Sequence, residues 1–186
     1  GGAGGGGGEK RGVGGGGRGG HGAAAAVGLG RGGWNGALHQ RGNEAAARRV
    51  ERDILDRGGM AKTYQAELTQ EAQVEALFAA AEGDFGFVEG LVNNAGTAWK
   101  GLFTDMALAD WRQVLDADLT SVFLCCRRAL PPLIPRQRRS IVHFRPRWCP
   151  AGAASAAASP APKAGAIRLP SARARASGPP GAGGNA

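Results

Sequence analysis

The run Gly90-Leu91-Val92-Asn93-Asn94-Ala95-Gly96 joins a short apolar segment to a cluster of small and polar residues. With Phe87 and Val88 ahead of it, the apolar part predicts a buried strand over residues 87–92. Small residues at the carboxyl end of a strand let a ligand lie across the sheet edge, where doubly wound folds bind nucleotides. The same residues also make an ordinary Asn-Gly-type turn, and the pattern by itself leaves both readings open.

Outward from this run, residues 37–142 alternate strand and helix signals. Residues 37–40 and 62–66 are short strand candidates on either side of a predicted helix over residues 44–57. Asn43 is placed to accept an N–H of that helix's first turn. Ala46, Val50 and Ile54, with Ala47 and Leu55 beside them, form its apolar stripe, and Gly58-Gly59 ends it. A second helix is predicted over residues 71–82, capped by Thr69 and closed by Gly83. Val74, Leu77, Phe78 and Ala81 share one of its faces. Residues 108–130 predict one long helix with Trp111, Val114, Leu115, Leu119, Val122 and Phe123 inward, stopped by Pro131-Pro132. Residues 140–144 form a fourth strand candidate. Strand-helix-strand spacing of this kind implies α/β class: a Rossmann-like, doubly wound parallel sheet with helices on both faces.

The ends differ from this middle. Twenty of the 34 glycines lie in residues 1–36, and seven of the ten prolines lie in residues 143–186. The first zone holds four Lys/Arg and one Glu, the middle thirteen Lys/Arg and fourteen Asp/Glu, the last six Lys/Arg and no acid. The overall charge of +8 therefore belongs to the ends. Such ends are either solvated termini or surfaces for nucleic acid and other polyanions. Arg18-Gly19-Gly20, Arg31-Gly32-Gly33 and Arg57-Gly58-Gly59 look like Arg-Gly-Gly boxes, but residues 1–33 lack the aromatics that stack on bases, which weighs against a nucleic-acid binder. Gly16, Gly20 and Gly22, leading into a possible helix over residues 23–29, can be read as a phosphate loop or as low-complexity linker. Several glycine registers fit, and Lys10-Arg11-Gly12-Val13-Gly14 carries only one apolar residue, too few to predict the strand that should precede such a loop.

Three cysteines, two of them adjacent at Cys125 and Cys126, do not make a disulfide framework and show no metal-ligand spacing; reduced thiols in a cytoplasmic protein are the expectation. No run approaches the roughly 18 apolar residues of a membrane span. The apolar residues 23–30 are too short, and lack the cleavage pattern, to predict a signal peptide.

Asn93-Asn94-Ala95-Gly96 resembles the Asn-Asn-Ala-Gly signature of the short-chain dehydrogenase/reductase family. Gly101-Leu102-Phe103-Thr104-Asp105-Met106, Asp110-Trp111, the run Val114-Leu115-Asp116-Ala117-Asp118-Leu119 and Val122-Phe123-Leu124-Cys125 extend the likeness. It is nearest to the 3-oxoacyl-[acyl-carrier-protein] reductase group. Thr104-Asp105-Met106 and Trp148 also resemble a reductase of the 5-aminopentanoyl modification of elongation factor P. The resemblance implies a single Rossmann-like domain in which residues 1–36 hold a degraded Thr-Gly-x-x-x-Gly-x-Gly cofactor loop, with Gly14 in place of Thr. Residues 37–142 are then the core, and residues 143–186 a degraded catalytic segment. It implies NADP as cofactor, with Asn93, Ala95 and Gly96 facing it. Arg41 is either the residue that selects the 2′-phosphate or a solvent-exposed arginine. Gln65-Ala66-Glu67-Leu68 resembles the adenine-contacting stretch, with Glu67 where Asp is usual. The implied substrate is a small molecule or an acyl-carrier-linked ketone.

The family's catalytic set is Asn, Ser, Tyr and Lys: tyrosine transfers the proton, lysine lowers its pKa, serine orients the carbonyl and asparagine holds a relay water. In the register fixed by residues 93–96, the Asn position is Asp118, the Ser pair falls on Arg145-Pro146, and Tyr-x-x-x-Lys falls on Ser159-Pro160-Ala161-Pro162-Lys163. Only Lys163 matches. Ser159 is a poor proton donor near neutral pH, and the single tyrosine, Tyr64, sits on an earlier strand. Gly184-Asn185-Ala186 resembles the start of the following strand, so the resemblance implies a shortened copy without the last strand that supports family homo-oligomers. The expectation is an NADP-dependent reductase of weak or absent activity, with a non-catalytic remnant that binds a nucleotide or a protein partner as the alternative.

Overall fold

The computed structural model describes residues 10–15, 20–97, 99, 101–133 and 140–143. Among these residues five strands form one wholly parallel sheet: β1 (Lys10–Gly15), β2 (Trp34–Gln40), β3 (Ala61–Gln65), β4 (Gly90–Asn93) and β5 (Ser140–His143), in the order β3-β2-β1-β4-β5. The helices are α1 (Gly20–Arg31), α2 (Glu44–Leu55), α3 (Glu71–Phe85), α4 (Leu108–Leu115) and α5 (Ser121–Leu133). Side chains alternate across the pleat, so Ala37 and Leu38 point to opposite faces. Ala37, Val74, Phe78, Leu91, Val122 and Ile141 pack on one face under α3 and α5; Leu38, Ile54 and Ala61 pack on the other, with Ala26 and Val27 of α1 and Val50 of α2. Helices on both faces make the sheet doubly wound.

The glycine-rich Lys10–Gly15 is a strand after all, and it holds the centre of the sheet. Its register runs Lys10 opposite Trp34 through Gly15 opposite His39 on one side, and Gly12 opposite Gly90 through Gly14 opposite Val92 on the other. Hydrogen-bonded neighbours on both edges satisfy its backbone N–H and C=O groups, which an apolar side-chain pattern is not needed to do. The helix that follows is longer than the predicted residues 23–29.

Two of the helix caps differ from expectation. Asn43 does accept from Ala46 N, at 3.2 Å, and the chain leaves α2 through Gly58 at φ 79°. The α2 stripe narrows to Ala47, Val50 and Ile54, at i, i+3 and i+7; Ala46 and Leu55 face solvent. At α3 the cap position belongs to Gln70, whose side chain makes no capping bond, while Thr69 uses its own N–H to reach Glu67 Oε1. The helix passes Gly83 and stops at Gly86, φ 80°, a conformation glycine adopts without strain. All four residues of its apolar face are buried.

The predicted long helix runs without a gap from Leu108 to Leu133 but widens in its middle. Asp116–Thr120 is a π segment between α4 and α5. A wider turn adds a residue and rotates everything after it relative to the preceding face. The rotation buries Asp118, Leu124, Cys125 and Cys126 and leaves Phe123 exposed, against the inward position that one uninterrupted period assigns it. Nor do Pro131-Pro132 stop α5, which runs to a fully buried Leu133. Proline's fixed φ is helical; in a last turn the loss is confined to two hydrogen bonds and is offset by burying Leu133. The strand boundaries shift by up to three residues, β2 starting early at Trp34 and β4 late at Gly90.

Candidate functional site

Strand order reverses between β1 and β4, and it is outside the carboxyl ends of strands at such a reversal that open α/β sheets bind ligands. On the β1 side the chain enters α1 at Gly20, and Gly22 is buried in its first turn. Gly16 lies outside the described residues. The first turn of a helix leaves N–H groups without intrahelical partners, and these suit an anion. On the β4 side Asn93 ends the strand opposite His143 of β5. Its Nδ2 donates to Cys126 Sγ of α5 at 3.6 Å; sulfur is a weak acceptor, so this contact orients the amide more than it binds it. Ala95 is half-buried and Gly96 exposed, so the motif offers little side-chain bulk at the edge.

Asp118 is fully buried in the π segment, and its Oδ1 accepts from Thr97 N at 2.7 Å. A carboxylate acceptor makes this a strong hydrogen bond. It ties the backbone just beyond Asn93-Asn94-Ala95-Gly96 to the junction of α4 and α5. Asp118 and the Asn-Asn-Ala-Gly run, 21 residues apart for the bonded pair, are thereby brought into one place.

Beyond β2 the chain carries Arg41, whose side chain is 59% exposed and lies 3.6 Å from Glu67. An exposed pair of this kind contributes at most about 1 kcal/mol, so Arg41 can exchange Glu67 for another anion at small cost. Gln65 Nε2 donates to the Arg41 carbonyl at 3.3 Å, and Glu67 N donates to Gln73 Oε1 at 2.7 Å. These bonds hold the β3–α3 loop against the end of β2. His39 joins them from below: it is 6% exposed, its Nε2–H donates to Ala66 O at 2.8 Å, and burial holds its pKa below the usual histidine value. Its Nδ1 has no hydrogen-bond partner. His39, Leu68, Asn93, Asn94, Ala95 and Cys125 are among the residues around a cavity of about 10 Å³.

Sequence reasoning passed over His39 and Thr97. The available signal for His39 was its place two residues after Ala37 on a strand, which points it into the same core; Thr97 had none, because its backbone N–H is what matters. Tyr64 lies on β3, the outermost described strand, and its hydroxyl donates to Asp84 at 2.6 Å. Burial first, and then Asp84, push the phenol above its ordinary value, opposite to what proton transfer needs. Ser159 and Lys163 lie outside the described residues, as do Arg145, Pro146, Trp148 and Cys149. Cys125 and Cys126 are buried, and neither is in a disulfide. Among the described residues no three His, Cys, Asp or Glu side chains gather as metal ligands, and no helix is long and apolar enough to cross a membrane.

The sequence pattern of the short chain dehydrogenases matches residues 13–181. The chain belongs to the short-chain dehydrogenase family. This short-chain dehydrogenase is 36% identical over 114 residues to 3beta-hydroxysteroid dehydrogenase 1 of Eggerthella lenta, a match that takes in 61% of this chain and 44% of the relative. It is 29% identical over 147 residues to the 3-oxoacyl-[acyl-carrier-protein] reductase FabG of Staphylococcus aureus, 79% of this chain and 60% of that one. The chain thus spans about half the length of such curated relatives. Among solved structures, a metagenomic short-chain oxidoreductase in complex with NADP superposes with a TM-score of 0.78 at 29% identity, over 90% of this chain and 77% of that one.

Proposed function

We propose that this chain is the nucleotide-binding portion of an NADP-dependent oxidoreductase whose substrate is the ketone of a 3-oxoacyl thioester or a similar small or carrier-linked molecule. The observation that carries the reading is the coincidence, at one edge of the sheet, of Asn93-Asn94-Ala95-Gly96 beside the β1–β4 reversal and Arg41 just past β2. In dinucleotide-binding folds the residue after the second strand meets the adenosine ribose, and a basic residue there accommodates a 2′-phosphate. The residues present fit such a cofactor: a slight edge at Ala95 and Gly96 and an exposed cation at Arg41, paired only with a partly exposed Glu67. When bound, the nicotinamide supplies a hydride to the carbonyl carbon. Asn93 and the Thr97-to-Asp118 hydrogen bond hold the edge that would face it, and Lys163 is the candidate for holding the ribose. The two buried thiols fit a reducing compartment such as the cytoplasm.

Turnover is expected to be weak or absent, because Ser159 stands where the proton-transferring tyrosine is required and Asp118 where asparagine is. Titration of the chain with NADPH and NADH, followed by nucleotide fluorescence, tests the reading. Tighter binding of NADPH, reduced about tenfold or more in Arg41→Ala while NADH binding is unchanged, supports it; the loss of one charge-assisted contact is of that size. Binding of neither nucleotide refutes it.

A further inference from the structure

β3 is the outermost described strand and pairs with β2 along one side. In a parallel ladder, alternate residues direct their N–H and C=O groups to the same neighbour. Gly36 N donates to Met60 O at 2.8 Å, and Ala66 N donates to Gln40 O at 3.2 Å. Lys62 and Tyr64, in step with these two, therefore bond β2, and Ala61, Thr63 and Gln65 turn their N–H and C=O groups outward. A row of outward groups is a template for another strand. Its middle is already taken: Thr63 N donates to Glu51 Oε2 at 3.0 Å, so a side chain of α2 reaches over the edge. The other carboxylate oxygen lies 3.6 Å from Arg48 Nη1, and the Glu51 side chain is only 13% exposed. On the opposite face, Lys62 Nζ and the Tyr64 hydroxyl both donate to Asp84 Oδ2 at 2.6 Å, which draws these two side chains towards α3.

We propose that the outer edge of β3 is a self-complementary pairing surface for a second copy of this chain, and that Glu51 is the latch that keeps it closed. Two copies related by a two-fold axis beside Thr63 run antiparallel. Opposed residues in such a ladder exchange both of their backbone bonds. Thr63 then meets Thr63 of the second copy and Ala61 meets its Gln65, so every outward N–H of the strand finds an outward C=O. Between these pairs Lys62 faces Tyr64 and not another lysine, so no like charges stand opposite one another. The strand contains neither proline nor glycine to weaken the ladder. What opposes pairing is Glu51. Its carboxylate occupies the place that the carbonyl of the second copy's Thr63 must take, and both groups only accept. The carboxylate is the stronger acceptor of the two and belongs to the same chain, so the closed edge is favoured while Glu51 is present.

The experiment compares the full chain with Glu51→Ala, Glu51→Gln and the double variant Glu51→Ala/Thr63→Pro. Each is followed by sedimentation velocity over a concentration series, with circular dichroism on the same samples. Glu51→Ala is expected to rise with concentration to twice the mass of the parent. Glu51→Gln keeps an acceptor of the same reach and is expected to stay with the parent. Thr63→Pro removes the outward N–H and leaves the bonds to β2 intact, so the double variant is expected to return to the parent's mass. A folded Glu51→Ala whose mass follows the parent's overturns the proposal. A doubling that persists in the folded double variant overturns it as well. Amide exchange on the unaltered chain tests the latch with no variant to fold: the Thr63 amide should exchange about tenfold or more slowly than in an unstructured peptide, as a bond to a carboxylate requires. Exchange at the unstructured rate refutes the latch.

Discussion

Replacing Asp118 separates what its carboxylate does as an acceptor from what it does as a charge. The side chain is fully buried and accepts from Thr97 N at 2.7 Å. A hydrogen bond to an ionised group contributes about 1.5–3 kcal/mol. In Asp118→Ala the Thr97 N–H loses that acceptor, and the expected loss is about 2 kcal/mol. For a chain of 186 residues each kcal/mol lowers Tm by roughly 2–4 °C, so the fall should be about 4–8 °C. Asp118→Asn keeps an oxygen in the same place. It gives up the charge assistance, worth about half of the bond, but no longer buries a negative charge, which offsets the loss. Its stability should therefore lie within about 1 kcal/mol of the parent. The assay is thermal unfolding followed by circular dichroism at pH 7, with NADPH titration on the same samples. Asp118→Ala should weaken nucleotide binding along with stability, because the backbone beyond Gly96 is released; Asp118→Asn should bind as the parent does. If Asn is as damaging as Ala, the charge itself is what the site needs, and the acceptor argument is refuted.

Three further outcomes are expected. A Cβ on Gly90 would sit 2.9 Å from Trp34 Cζ3, so Gly90→Ala should cost about 1–3 kcal/mol in a denaturant melt, and the cost should shrink in the Trp34→Leu background if overlap is its cause. Cys125 is buried, and desolvation first, with Cys126 adding to it, pushes its thiol up to about 12; the folded chain at pH 8 should therefore leave this cysteine unlabelled by a thiol reagent that modifies it fully in denaturant, as read by mass spectrometry. Burial lowers the folded-state pKa of both His39 and His143 below 6.5. The unfolded chain then binds more protons below that value, so their contribution to stability is complete above about pH 6.5 and declines as the pH falls; Tm measured from pH 7.5 down to 5 should drop, with a smaller drop in His39→Leu.

Local patterns carried much of the architecture. The α3 stripe, the Asn43 cap and the glycine exit from α2 depend on contacts within a few residues, so the sequence states them directly. The same holds for the small residues at the end of β4, which marked the family and the register. What was not legible depends on partners distant in the chain. The half-glycine strand Lys10–Gly15 has no apolar periodicity and exists because β2 and β4 flank it. The Asp118 carboxylate and the Thr97 N–H, the inward rotation of Cys125 and Cys126 after the π segment, and the single-sided bonding of His39 to Ala66 were likewise decided only in three dimensions. Composition and periodicity record the preferences of each residue for its near neighbours and for water. The pairing of buried polar groups is a constraint between segments, and only the folded sheet brings those segments within hydrogen-bonding reach.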